Sequence, residues 1–281
     1  MFMRYYILSF SLLISTFTYA QNFQSLFDDA VSKYKLGEHE RSQFIFNQVL
    51  FYGPSNLKGK SYYFIAIVNK DVYKNNASAK NLFDLAYNNL LDDDSLKVEC
   101  LIQKSQIFIS ENKYGHAILE LFSINNPIEK QKNRVNFYLA NCFFLNNEFD
   151  KADSCFSLLI EDKNKLMQMR SDIKKAKEIK KPNSILALIY SAIIPGAGLA
   201  YSGEFTSAFS SFVLISVILT TTYLLSVNVG VLDAVFISLP WFQRYYSGGM
   251  NQAYNMASIK RNESKNKILN SINLMILNSI N

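Results

Sequence analysis

Histidine occurs only twice in 281 residues, tryptophan once and cysteine three times. His39 and His116 share no ligand spacing with each other or with Cys100, Cys142 and Cys155, so no zinc-type cluster is written locally. No G-x-S-x-G elbow, phosphate-binding P-loop or dinucleotide fingerprint occurs. No residue set therefore recommends a catalytic role: no enzyme, no cofactor and no small-molecule substrate is expected. The three cysteines leave one unpaired whatever happens. Cys142 and Cys155 fall on successive helices of one expected hairpin, so they are either a disulfide in an oxidising compartment or two small buried hydrophobes.

Charge of one sign is missing from the place where a basic protein would carry it. The net +6 hides a split in which residues 21–162 carry 15 Lys/Arg against 18 Asp/Glu, and residues 163–183 carry 8 against 2. A basic block beside an apolar segment fits a juxtamembrane stretch attracted to anionic lipid. Nucleic acid is not expected as a partner, because no groove-reading motif or Arg/aromatic interleaving accompanies the block. The acidic run from Leu91 to Ser95 lacks the EF-hand spacing and is read as a solvated loop and N-cap cluster.

What is present divides into five stretches. Residues 1–20 have one basic residue, Arg4, then the apolar run YYILSFSLLISTF and Thr-Tyr-Ala before Gln21. That order is expected of a secretory signal peptide, with an uncleaved anchor helix as the alternative. Residues 21–162 contain a helical repeat. Small residues at Ser42, Ala79, Ala117 and Ala152 are 37, 38 and 35 apart. Each is followed along one helical face by further apolar side chains: Phe46 and Val49, Phe83 and Ala86, Leu121 and Ile124, Phe156 and Leu159. Residues 163–183 read as a basic polar helix or a flexible linker. Residues 184–262 are mostly apolar, and residues 263–281 carry an amphipathic stripe that could lie on a membrane or cover a helix.

The repeat resembles the tetratricopeptide repeat. That resemblance implies an all-α fold with a stack of about four helical hairpins, each leaving an apolar face for its neighbour to cover. The first helices keep the pattern less well than the second. In such repeats the first helices line a concave, partner-binding surface. The matching positions here are Ile102 and Gln106 in the third unit, and Arg134, Phe137, Asn141 and Phe144 in the fourth. Phe137 and Phe144 read equally well as core.

In the apolar third, Ser184 to Ile194 is uncharged but spans only about 16 Å as helix, about half a bilayer core. Pro195 then predicts a break, and Gly196 and Gly198 permit turns or close approaches. Pro195-Gly196-Ala197-Gly198 with Tyr201 and Gly203 resembles the PGxGxxYxG opening of a small bacterial integral-membrane domain of unassigned role. Tyr246, Gly248, Gly249, Ala253 and Ala257 resemble its YxGGxxxAxxxA ending. One departure is Leu199, where related chains often carry a polar residue. The motif is read either as a helix-to-helix corner or as a recognition element. Residues 205–226 are the most secure membrane span, followed by a turn at Asn228 and Gly230 and an apolar run from Val231 to Phe242. Asp233 within that run is either functional or solvated near the turn.

The resulting expectation is a membrane-anchored cell-envelope adaptor in the bacterial inner membrane. Its repeats would face the periplasm and bind a partner protein, while its last third contacts membrane lipid. The alternative is an accessory subunit of a membrane transport, insertion or envelope-assembly machine, in which the PGAG break and Asp233 line a polar path. The basic block before Ser184 favours the cytoplasmic side and the signal peptide favours export; export is preferred, because the Lys/Arg bias weakens across a long translocated domain.

Overall fold

A computed structural model describes residues 22–90, 94–125 and 127–280. The expected signal peptide lies outside them, as do residues 91–93 of the acidic run. Among the described residues the chain is all helix, with no strand. It forms two compact units, one ending at Leu159 and the other beginning at Ile160.

The first unit is four antiparallel helical hairpins in succession. They are α1 (Phe23–Lys35) with α2 (His39–Tyr52), α3 (Ser55–Asp71) with α4 (Asn76–Asn89), α5 (Asp94–Ser110) with α6 (Tyr114–Phe122), and α7 (Glu129–Leu145) with α8 (Phe149–Ser157). Asn22 and Asn75 open α1 and α4 by accepting backbone N–H groups of Ser25 and Ser78 at 3.3 and 3.1 Å. The small residues Ser42, Ala79, Ala117 and Ala152 are all fully buried on the second helices. No bulk separates the helices there, and the Ser42 hydroxyl donates to the Ala30 carbonyl at 2.9 Å. Phe46, Phe83, Leu121 and Phe156 fill the space beyond them, each at most 2 % exposed. Full burial of one such side chain is worth about 1.5–3 kcal/mol. Between the first two hairpins, Phe27, Phe46 and Phe64 form a ring cluster with centroids 5.2–6.0 Å apart.

The four hairpin turns share a device. Gly37, Lys74, Asn112 and Asn147 all have positive φ, and each stands five residues before the small residue of its hairpin. In all four turns the residue after the left-handed one donates to a carbonyl near the end of the preceding helix: Glu38 to Lys33, Asn75 to Asn69, Lys113 to Phe108 and Glu148 to Phe143, at 2.8–3.0 Å. Such a bond satisfies a carbonyl that the helix end would otherwise leave bare.

The second unit contains α9 (Lys163–Glu178), α10 (Ser184–Ile193), the short α11 (Ala197–Tyr201), α12 (Phe205–Val229) and α13 (Val231–Ile280). The stretch at 163–183 is therefore mostly helix and not a flexible linker. Asp162 caps it by accepting the Asn164 N–H at 2.7 Å, and Met169, Ile173 and Ala176 are buried. α9 packs on α13, whose last turns bury Leu269, Ile272 and Ile276. α13 runs unbroken through residues 262 and 263 and through Pro240. α12 and the start of α13 form an antiparallel pair around a turn at Gly230. α12 is long and apolar enough to cross a membrane, and most of its large side chains point outward, with Phe209 70 % and Val227 73 % exposed, while Ile215 is buried.

Candidate functional site

Two places gather the residues singled out above, one in each unit. In the first unit the polar residues of α3, α5 and α7 join into a ladder. Arg134 grips Glu99 with two parallel hydrogen bonds of 2.7 and 3.0 Å, and Gln103 donates to the same carboxylate at 2.8 Å. Lys70 donates to Gln103 and, at 3.2 Å, to Gln106; Gln106 in turn donates to the Tyr138 hydroxyl at 2.7 Å. Burial alone would push the Glu99 carboxyl up; the Arg134 and Gln103 hydrogen bonds, with the charges of Arg134 and Lys70, outweigh it and hold Glu99 below the usual carboxylate range. The Tyr63 phenol moves the other way, raised by burial and then by Glu99.

Gln106 and Arg134 thus face their neighbours in the ladder. Gln106 also lines a groove of about 330 Å³ with Lys70, Lys74 and Asn76. Phe137 is half-buried and stacks edge-on to Tyr138 at 5.8 Å. Three expected partner contacts are corrected by burial. Ile102 is fully buried, Phe144 is 1 % exposed and packs edge-on against Phe149, and Asn141 is buried with its amide bonded back to the Phe137 carbonyl. The cause is the crowding of the first helices. α5 touches α3, α4, α6 and α7, so little of its circumference reaches solvent. Several apolar side chains that do reach solvent lie on second helices, among them Phe44, Phe51 and Tyr52 of α2, and Leu119 and Phe122 of α6. Phe51 and Tyr52 form an edge-on ring pair at 4.7 Å. Only their adjacency at a helix end, just before Gly53-Pro54, marks them in the sequence.

In the second unit the PGAG stretch is a corner where four helices meet. Pro195 follows α10, whose first turn Asn183 caps by accepting from Ile185 and Leu186 at 2.9 and 3.2 Å. Gly196 turns with φ +86°, and a Cβ there would stand 2.2 Å from the Ala208 carbonyl oxygen of α12. A Cβ on Gly198 would stand 1.7 Å from the Ala187 carbonyl oxygen of α10. The Gly198 N–H donates to the Ser191 hydroxyl at 3.1 Å, and its carbonyl accepts from Ser202 at 2.9 Å. Gly203 ends α11 with φ +85°. The Tyr201 hydroxyl accepts from the Asn183 N–H at 3.2 Å, and its ring meets Tyr190 edge-on.

The second half of the motif closes the same corner. The Tyr246 hydroxyl donates to the Ala192 carbonyl near the end of α10. Gly249 lies against Ser211 of α12, where a Cβ would come within 2.9 Å of the hydroxyl. Ala253 and Ala257 pack with Ala187, Leu199 and Ala208 in one buried cluster. Leu199 is fully buried there. A Cβ on Gly248 would meet nothing within 4 Å, so that residue faces open space. Asp233 does not join them. It is exposed in the first turn of α13, 13 residues from Tyr246 and so about 20 Å along the helix.

The cysteines are free, and burial pushes the Cys142 thiol up to about 12. Among the described residues no three His, Cys, Asp or Glu side chains gather to hold a metal. Comparison of the chain with protein-family models, curated proteins and solved structures finds no match.

Proposed function

We propose that the protein is a membrane-anchored adaptor of the bacterial cell envelope, held by the α12–α13 pair and binding a partner protein through tetratricopeptide-like hairpins. One observation carries the reading: the two units are built for different solvents. In the first, charges bridge the hairpins, with Lys80 paired to Glu111 at 2.9 Å and Lys104 to Asp84 and Glu120 at 2.7 and 2.9 Å. In the second, the 25-residue α12 turns Phe, Val and Leu outward, uncovered by any of the described residues. Water would penalise that surface and lipid would not. Export by the N-terminal segment would place the hairpins in the periplasm and the anchor in the inner membrane.

On the repeat unit, the exposed pair Phe51–Tyr52 is a better anchor point than the buried positions of the inner helices, because a few residues carry most of the energy of an interface and tyrosine is enriched among them. The polar-path alternative would need Asp233 to act apart from the corner, since it stands 13 residues, about 20 Å of helix, from Tyr246.

Two measurements test the reading. The native chain should stay with membranes through alkaline carbonate extraction, and Val213→Lys with Val217→Lys should release it. A photo-crosslinker at Phe51 in intact cells should trap a discrete protein product absent when the crosslinker sits at the buried Ile102. Release of the unaltered chain by carbonate, or the same products from both positions, would overturn the adaptor.

A further inference from the structure

The pairing of α12 with α13 leaves a groove of about 570 Å³ along its PGAG-proximal half. Gly248 and Gly249 keep its floor clear, and Tyr245 and Leu214 bound it. The remaining wall is polar. Thr206, Ser207 and Ser211 of α12 face Arg244 and Gln252 of α13. No carboxylate lines the groove, and among the described residues Arg244 has no ion pair. The one acid nearby in sequence, Glu204, is already paired with Lys260 at 3.0 Å. Ser210 spends its hydroxyl on the Thr206 carbonyl, whereas the five side chains facing the groove donate to no protein acceptor among the described residues.

The level of the groove matters as much as its chemistry. On α13 it begins where the apolar run Val231–Phe242 ends, one turn past Trp241, whose ring stacks on Tyr245 with centroids 6.3 Å apart. On α12 its polar wall ends at Ser211, where the mostly apolar run from Phe212 to Val229 begins, 18 residues or about 27 Å of helix. That run nearly matches a ~30 Å hydrocarbon core, and paired aromatic rings favour the headgroup level. An unpaired guanidinium at that level, with unspent hydroxyl and amide donors around it, is stabilised by an anion that it can grip with two hydrogen bonds.

We infer that this groove binds the phosphate of an anionic phospholipid headgroup, with Arg244 as the charged contact and Ser207, Ser211 and Gln252 as neutral donors. The inference rests on the membrane reading of α12–α13, and carbonate extraction tests that reading separately.

The test uses the full chain in a non-ionic detergent, with bound lipid counted by native mass spectrometry. Phosphatidylglycerol, phosphatidylcholine and inorganic phosphate are each titrated alone, and phosphate is then titrated against phosphatidylglycerol. Phosphatidylglycerol should be retained about tenfold more tightly than phosphatidylcholine, and Arg244→Gln should abolish that preference without lowering the melting temperature. Arg244→Lys should keep part of it, and Arg261→Gln, outside the groove, all of it. Equal retention of the two lipids, or an unchanged preference in a folded Arg244→Gln protein, would overturn the site. Saturable binding of inorganic phosphate that displaces phosphatidylglycerol would assign the groove to free phosphate and overturn the lipid assignment. If Arg244→Gln unfolds the chain, Gln252→Leu with Ser211→Ala must show the same loss of preference, and retention by that pair would sink the idea.

Discussion

A methyl group on Gly198 would meet the Ala187 carbonyl oxygen at 1.7 Å, and one on Gly248 would meet nothing within 4 Å. Two glycines of one sequence motif therefore carry different constraints. Gly198→Ala must push α11 off α10, a forced backbone shift costing about 1–3 kcal/mol or more. Gly248→Ala should change stability by no more than about 0.5 kcal/mol. Thermal melting of both variants in detergent checks this, and equal melting points would contradict the close approach. Sequence alone predicted a kink or a break at Pro195 and showed that the glycines could permit contact. It could not show that Tyr246 reaches Ala192, because no local signal links groups 54 residues apart.

Glu99 makes a second prediction at this scale. Its carboxyl is held below its ordinary value of 4.5, so the folded state binds its proton less readily than the unfolded chain. The stabilisation is present above the ordinary pKa and is lost as pH falls through the lower folded value. Glu99→Gln should therefore cost about 1 kcal/mol at neutral pH, a figure reduced because Arg134 is more than one-third exposed. The native chain and the variant should converge in stability below about pH 4, close to the ordinary carboxylate range. A gap between their denaturant midpoints that persists unchanged at pH 3 would refute this account.

Among elements, the second helices were the legible ones. Their small-then-large spacing appears in the structure as buried Ser42 and Phe46, Ala79 and Phe83, Ala117 and Leu121, and Ala152 and Phe156. The first helices were not legible in the same way. A helix packed on several sides has apolar residues around most of its circumference, so spacing no longer says which face is open. That is why Ile102 and Phe144 read as surface candidates and are core. The hairpin turns were half legible: Gly37 advertises a left-handed residue, while Lys74 does so not at all. Lysine has no side-chain acceptor to support positive φ, so Lys74→Gly should stabilise the first unit by up to about 1 kcal/mol. Phe83→Ala, in the same hairpin, should cost about 3–5 kcal/mol. Chemical denaturation of the full chain reads both.

At the scale of the molecule, the antiparallel pairing of α12 and α13 has a topological result that hydropathy does not give. The chain before Phe205 and the chain after Gln252 lie at one end of the pair, and the Gly230 turn lies at the other. Engineered cysteines at Glu178 and Asn270 should therefore label from the same side of the membrane, whichever side that is. Opposite sidedness would break the hairpin picture. The native thiols make a quiet background, because Cys100 and Cys142 are buried and burial also raises the Cys155 thiol. The division between a polar helical-hairpin unit and an apolar last third was written in composition. The buried face of α9 was not, since a stretch so rich in lysine gives no hint that Met169, Ile173 and Ala176 share it.

Helix α13 runs 50 residues without a joint, about 75 Å, well beyond the roughly 40–45 Å thickness of a bilayer with its headgroups. A rod of that kind sets the rotational phase of its far end from its near end. Every residue spliced into it spins the distal turns by about 100°. Two residues inserted between Asn262 and Glu263 would swing Leu269, Ile272 and Ile276 most of the way to the opposite side, leaving α9 with nothing to lean on. Protease should then cut α9, whereas the same two residues appended after Ile280 should leave it protected.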